Sequence, residues 1–124
     1  MPKVYVVNKG GHDFSSAKRY GEIHFLSEGI RDILAVSSMY RDFAIALRES
    51  TDKDYILLTG PNVMCCIACS CFAFLHGVVN VLIYKGGRYK ERKVMLNNLL
   101  GRGDGTTEEQ IESMIEDKEK NKEE

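Results

Sequence analysis

Between Val63 and Leu75 the only polar side chain is Ser70. Gly60-Pro61 opens a helix here, because a proline at an early position gives up an N–H that would go unused anyway. The helix runs to about His76, and Gly77 suits its C-terminal cap. A surface helix of a small α/β domain normally keeps one polar stripe. This helix has none, so it is expected to be covered on both sides. A chain of 124 residues offers little protein for the outer face. The expected cover is a second copy, giving a homo-oligomer whose interface lies near Val63–Leu75. The alternative cover is the chain's own C-terminal helix. The same stretch is too short to span a bilayer, so no membrane partner is expected.

The flanking segments predict a layered α/β domain. Lys3 to Asn8 is β-branched and aromatic and reads as a first strand. Asn8 to Asp13 is a loop, and Ser15 to Tyr20 makes one or two helical turns. Glu22 to Leu26 alternates as a second strand, closed by Ser27-Glu28-Gly29. Val36, Tyr40, Phe43 and Leu47 recur at helical spacing, with Ser37 or Ser38 as the cap. Tyr55 to Leu58 suits a short buried strand, and Val79 to Tyr84 a further one. Lys85-Gly86-Gly87-Arg88 makes a hairpin turn, and Tyr89 to Leu96 returns antiparallel. Thr107 with Gln110 three residues on resembles a capping box and starts a last helix. The expected fold is a mainly parallel sheet with an antiparallel C-terminal hairpin and a C-terminal helix. Residues 1–105 form one domain, and 106–124 an acidic helix, docked or partly frayed.

Formal charge is −1, which pulls the chain onto neither nucleic acid nor a lipid surface. The balance is uneven. Lys85 to Arg102 carries six basic residues against one acid, and Asp104 to Glu124 nine acids against three lysines. The basic segment is suited to an anionic ligand, or the two segments attract each other. The N-terminus, with one lysine and a four-residue apolar run, reads as neither signal nor transit peptide. All four cysteines lie between Cys65 and Cys71, where they cannot staple distant loops, so a reducing, cytosolic compartment is expected.

Four thiolates on one straight helix point around its axis and cannot surround an ion tetrahedrally. Core packing is therefore expected for Cys65, Cys66, Cys69 and Cys71, and no metal. A nucleophilic cysteine near the helix N-terminus would have a lowered pKa, but no base is in view. His12 beside Asp13 is the one candidate for a general base oriented by a carboxylate. Neighbouring side chains in sequence seldom pair well, so no catalytic residue is assigned. His24 sits in a strand, and His76 is explained by its helix end.

In open parallel sheets, ligands bind beyond the carboxyl ends of the strands. Two loops leave such ends. One runs from Asn8 through Gly10, Gly11, His12 and Asp13 to Ser16. The other is Thr59-Gly60-Pro61-Asn62, which ends at a helix N-terminus suited to a phosphate. If their strands are neighbours, the loops face one crevice. The alternation Arg88, Lys90, Arg92 puts three cations on one face of the returning strand, with Tyr89 on the other. Those cations suit a pyrophosphate, or simply protect an edge strand. Arg102, on the glycine-rich segment, is a candidate flap residue.

Several stretches resemble one family. They are Val4-Tyr5-Val6-Val7-Asn8, Gly11-His12-Asp13-Phe14-Ser15 with Ala17-Lys18, Gly21-Glu22, and Phe25-Leu26-Ser27-Glu28-Gly29. They continue with Asp54-Tyr55-Ile56-Leu57-Leu58-Thr59-Gly60, Val63-Met64 with Ile67-Ala68, and His76-Gly77. The chain is similar over most of residues 3 to 100 to the bacteriophage Thoeris anti-defence sponges of the first type. The resemblance implies a non-enzymatic protein without cofactors, built from dimers. It would hold a glycocyclic ADP-ribose signal near subunit interfaces in the cytoplasm of the infected bacterium. Some members resemble sponges for cyclic oligonucleotides at a separate site. On that reading Arg88 and Arg92 serve the pyrophosphate, Tyr89 or Phe74 the adenine, and Asn8 and Asp13 the riboses. The competing expectations are a nucleotide-processing enzyme using His12 and Asp13, and an oligomeric adaptor binding a protein through its acidic tail.

Overall fold

The computed structural model describes residues 1–29, 32–96 and 115–116. Contacts divide the chain into two units, Met1–Val94 and Met95–Glu124. In the second unit, Ile115 and Glu116 are helical and exposed. The candidate flap residue Arg102 and the capping box Thr107–Gln110 lie outside the described residues.

The first unit is a five-stranded sheet, as the alternating and apolar segments predict. Its strands are β1 (Lys3–Val6), β2 (Glu22–Phe25), β3 (Tyr55–Leu57), β4 (Val79–Lys85) and β5 (Arg88–Val94). They lie in the order β2-β1-β3-β4-β5. β1 is parallel to both β2 and β3, and β3 to β4; β4 and β5 are antiparallel. Gly86 and Gly87 both take positive φ, 64° and 82°, which is the two-residue hairpin geometry that matches strand twist.

From β1 the chain steps outward to β2, then reverses across β1 to β3 and on to β4. Crossovers between parallel strands are right-handed, so a reversal of direction must change the face on which the connection lies. The packing follows that rule. A 3₁₀ turn at Ser15–Arg19 links β1 to β2 and covers one face. There Phe14 and Ala17 pack on Val4, Val6, Leu57, Leu82 and Tyr89. Helices α1 (Val36–Leu47) and α2 (Asn62–His76) cover the other. Met39, Phe43, Leu47, Met64, Ala68 and Phe72 pack there on Tyr5, Val7, Ile56 and Val81. Consecutive residues of β1 thus enter two cores, because side chains of a strand alternate.

Three local details bear on the site. α1 begins at Val36 after Ala35, with no side-chain cap. Ser37 and Ser38 lie inside the helix and do not cap it. The Asp32 carboxylate instead accepts the Leu34 N–H (2.9 Å), and its carbonyl accepts the Ala35 N–H, so the turn forms ahead of the serines. α2 ends as the sequence predicts, on Gly77 at φ 71°. α2 buries one face only. Cys66, Ser70 and Phe74, one turn apart, are exposed. With Val36 and Tyr40 of α1 they line a groove of about 540 Å³.

Candidate functional site

The direction of the chain reverses between β1 and β3, and neighbouring strands whose connections leave on opposite faces open a crevice between their carboxyl ends. β1 and β3 pair directly, with Val4 opposite Tyr55 and Val6 opposite Leu57. The two loops named from the sequence therefore do meet. Two cavities lie between them, and His12 and Thr59 line both.

The larger cavity, about 410 Å³, is aromatic and apolar along one wall. Phe14 and Leu57 form its floor, and Tyr84 and Tyr89 rise from the hairpin. Tyr84 and Tyr89 face each other across β4 and β5, their rings 5.1 Å apart and edge to face. Tyr20 Oη donates to the Tyr89 carbonyl (3.0 Å), tying the hairpin to the 3₁₀ turn. Burial, then the nearby Tyr84 and Asp13, push the Tyr89 hydroxyl above its ordinary pKa, so it stays a neutral donor.

The smaller cavity, about 240 Å³, is polar. Asn8, Lys9, Gly10, Gly29 and Gly60 line it with His12 and Thr59. Gly11 lines neither cavity, and nothing lies within 4 Å of where its side chain would be. Asn8 is fixed by its amide, which donates to the Gly29 carbonyl at 3.0 Å. The Lys9 ammonium lies 5.0 Å from the centre of the Phe25 ring. Beyond Gly60, Asn62 is the first residue of α2, whose leading N–H groups have no carbonyl behind them to bond.

His12 and Asp13 do not form a base and orienter here. The Asp13 carboxylate accepts the Ser15 N–H (2.9 Å), which holds its pKa below the usual value. The His12 ring sits edge to face on Phe14 instead. Nor is Cys65, at the start of α2, activated. Burial pushes the Cys65 thiol up, against the effect expected of a helix N-terminus, and its Sγ donates to the Thr59 carbonyl at 3.6 Å. Among the described residues no group of three or more His, Cys, Asp or Glu is placed to hold a metal ion.

The remaining residues singled out in the sequence are dispersed. Arg92 pairs with Val81 and Arg88 with Lys85, so both arginines project from the helix-bearing face of the sheet, opposite Tyr89. Neither lines the two cavities. Phe74 belongs to the α1–α2 groove, near the end of α2 away from the crevice. Tyr84 is the lining residue that sequence reasoning misses. Its signal was present in its spacing from Tyr89, since a two-glycine turn places residues 84 and 89 opposite each other.

No curated protein and no solved structure matches the chain. The model of one family, described as phage Pam3 gp32-like protein, matches residues 2–98, which spans the whole sheet and both helices. The chain belongs to this phage protein family.

Proposed function

We propose that this phage protein binds and sequesters a cyclic ADP-ribose-type signal, glycocyclic ADP-ribose, without cleaving it. It thereby acts as an anti-defence sponge against Thoeris signalling in the cytoplasm of the infected bacterium. The carrying observation is the paired crevice. An aromatic compartment at Phe14, Tyr84 and Tyr89 adjoins a polar one at Asn8, Lys9, Gly10 and Thr59. Aromatic rings suit an adenine, and exposed backbone beside a helix N-terminus suits phosphate. The separation of His12 from Asp13 supports binding without chemistry. Phage membership and the resemblance to Thoeris sponges support the biological role.

A homo-oligomer is part of this proposal. Phe74 stands 83% exposed beside the apolar groove it helps to line. A two-fold pairing would set each protomer's projecting ring against the other's groove. The test is calorimetry of the protein with glycocyclic ADP-ribose, then heat denaturation and chromatography of what is released. Tight binding with intact ligand is expected. A cleaved product would make the protein an enzyme, and no binding would overturn the sponge reading.

A further inference from the structure

The sheet ends on β2 at one side and on β5 at the other, and the two edges differ. β5 carries Arg88, Lys90, Arg92 and Lys93 against Glu91 alone, and such a run of like charge keeps a second copy away. In β2, Glu22 and His24 alternate with Ile23 and Phe25. The Glu22 N–H donates to the Pro2 carbonyl, and the Leu26 N–H to the Val6 carbonyl. Backbone groups along a strand alternate in direction, so Ile23 and Phe25 turn their N–H and C=O groups away from β1. No backbone group among the described residues meets them there. An edge left in this state is a template for another strand.

The sequence of β2 is complementary to itself. Two copies related by a two-fold axis set the same residues on both sides, so their strands run antiparallel. Centred on Ile23, the two Ile23 residues exchange their N–H and C=O bonds. Glu22 of each copy then lies opposite His24 of the other, in the positions where facing side chains come closest. Both belong to the helix-bearing face. The His24 ring lies 5.7 Å from the Tyr5 ring, and His24 Nε2 lies 3.5 Å from Glu22 Oε2. The pairing therefore alternates acid and imidazole across the join as well as along each strand. The neighbouring registers set Glu22 against Glu22, or His24 against His24. Exposed apolar side chains flank the edge on both faces, Phe25 on one and Ile45 of α1, beside His24, on the other.

We propose that β2 pairs antiparallel with β2 of a second copy, centred on Ile23, so that two sheets join into one. This interface is separate from the α1–α2 groove, and it does not depend on which signal the crevice holds. With the groove contact it makes the assembly a dimer of dimers.

The experiment follows the full chain carrying Phe74→Ser, which removes the groove contact, by sedimentation velocity and amide hydrogen exchange. A dimer is expected, with slow exchange at the Ile23 amide, which has no bond within its own chain. His24→Glu in the same protein sets carboxylates opposite each other twice and should weaken the dimer about tenfold or more. Adding Glu22→Lys should restore it. The two side chains are 40% and 71% exposed, so these changes spare the core. A monomer overturns the proposal, as does fast exchange at Ile23 in a dimer. A His24→Glu protein that dimerises as tightly as its parent also overturns it. Should Phe74→Ser fail to fold, fast exchange at Ile23 in the unaltered protein overturns it equally.

Discussion

Gly60 lies so close to Asn8 that a β-carbon on Gly60 would sit 2.8 Å from Asn8 Cβ. The contact joins the two loops at the reversal point and sets Gly60 against the Asn8 side chain, whose Nδ2 bonds Gly29. Gly60 also takes φ 94°, where a side chain is strained whatever the space. Gly60→Ala is therefore expected to cost about 1–3 kcal/mol in chemical denaturation. It should also weaken nucleotide binding, because the shifted side chain is Asn8. Unchanged stability would mean that the loops separate freely.

Asp54 anchors the opposite end of the sheet. It is buried, and its two carboxylate oxygens accept the N–H groups of Lys3 (2.9 Å) and Thr51 (2.8 Å). Its own carbonyl accepts from Asn80 Nδ2, which also donates to the Asp52 carbonyl. One residue thus ties the starts of β1, β3 and β4. Asp54→Ala should destabilise the protein by roughly 2–4 kcal/mol, since two N–H groups lose a charged acceptor. Ligand affinity, measured below the unfolding transition, should change little.

These two residues mark how far the sequence could be read. Alternation and apolar runs gave the strands, and Gly77 and the Gly86-Gly87 pair gave their punctuation, because each is a local effect. The strand order was not legible, since pairing β1 with β3 joins residues about fifty apart. The crevice could be stated only conditionally until that order was known. Arg88 and Arg92 cannot share one site with Tyr89, because their alternation puts them on opposite faces. What the sequence could not say is which face carries the cavity. Asp54 and Asn80, polar residues within apolar surroundings, reveal themselves only through their backbone partners.

Tyr84 offers a test of the aromatic wall. It is 60% exposed, so its removal costs the fold little, yet it lines the cavity beside Tyr89, with which it packs edge to face. Tyr84→Ala should weaken binding of glycocyclic ADP-ribose about tenfold, the size of a lost stacking contact of roughly 1–2 kcal/mol. The melting temperature should stay within a degree or two. His12→Ala should leave the recovered ligand chemically intact, as the unaltered protein does; a change in its chemical fate would point to catalysis.

The outer face of α2 can be tested without touching the core. Phe74 makes no part of either buried cluster. Phe74→Ser should leave monomer stability within about 0.5 kcal/mol, as for an ordinary surface change. Sedimentation velocity should show a smaller assembly than the unaltered protein if the groove is the interface. Identical sedimentation of both would remove this helix from the contact.

The cysteines of α2 predict a pH response. Burial, with Cys65 and Cys66 nearby, pushes the Cys69 thiol up from 9.0 to about 11. Burial also raises Cys65 and Cys71. In the unfolded chain these thiols lose their protons near the ordinary value, while the folded protein keeps them. Above that pH the folded state binds more protons, so stability falls as pH rises. The contribution is fully present below about pH 9 and is lost as pH climbs to about 11. Denaturant midpoints measured from pH 8 to 11 should decline, and the decline should be shallower in Cys69→Ala. At pH 8, alkylation of the Phe74→Ser protein, its groove uncovered, should reach the exposed Cys66 before Cys69, whose thiol keeps its proton while only the thiolate reacts. Equal labelling of both would mean that the helix opens to solvent as a whole, and the pH slope would then have to come from other groups.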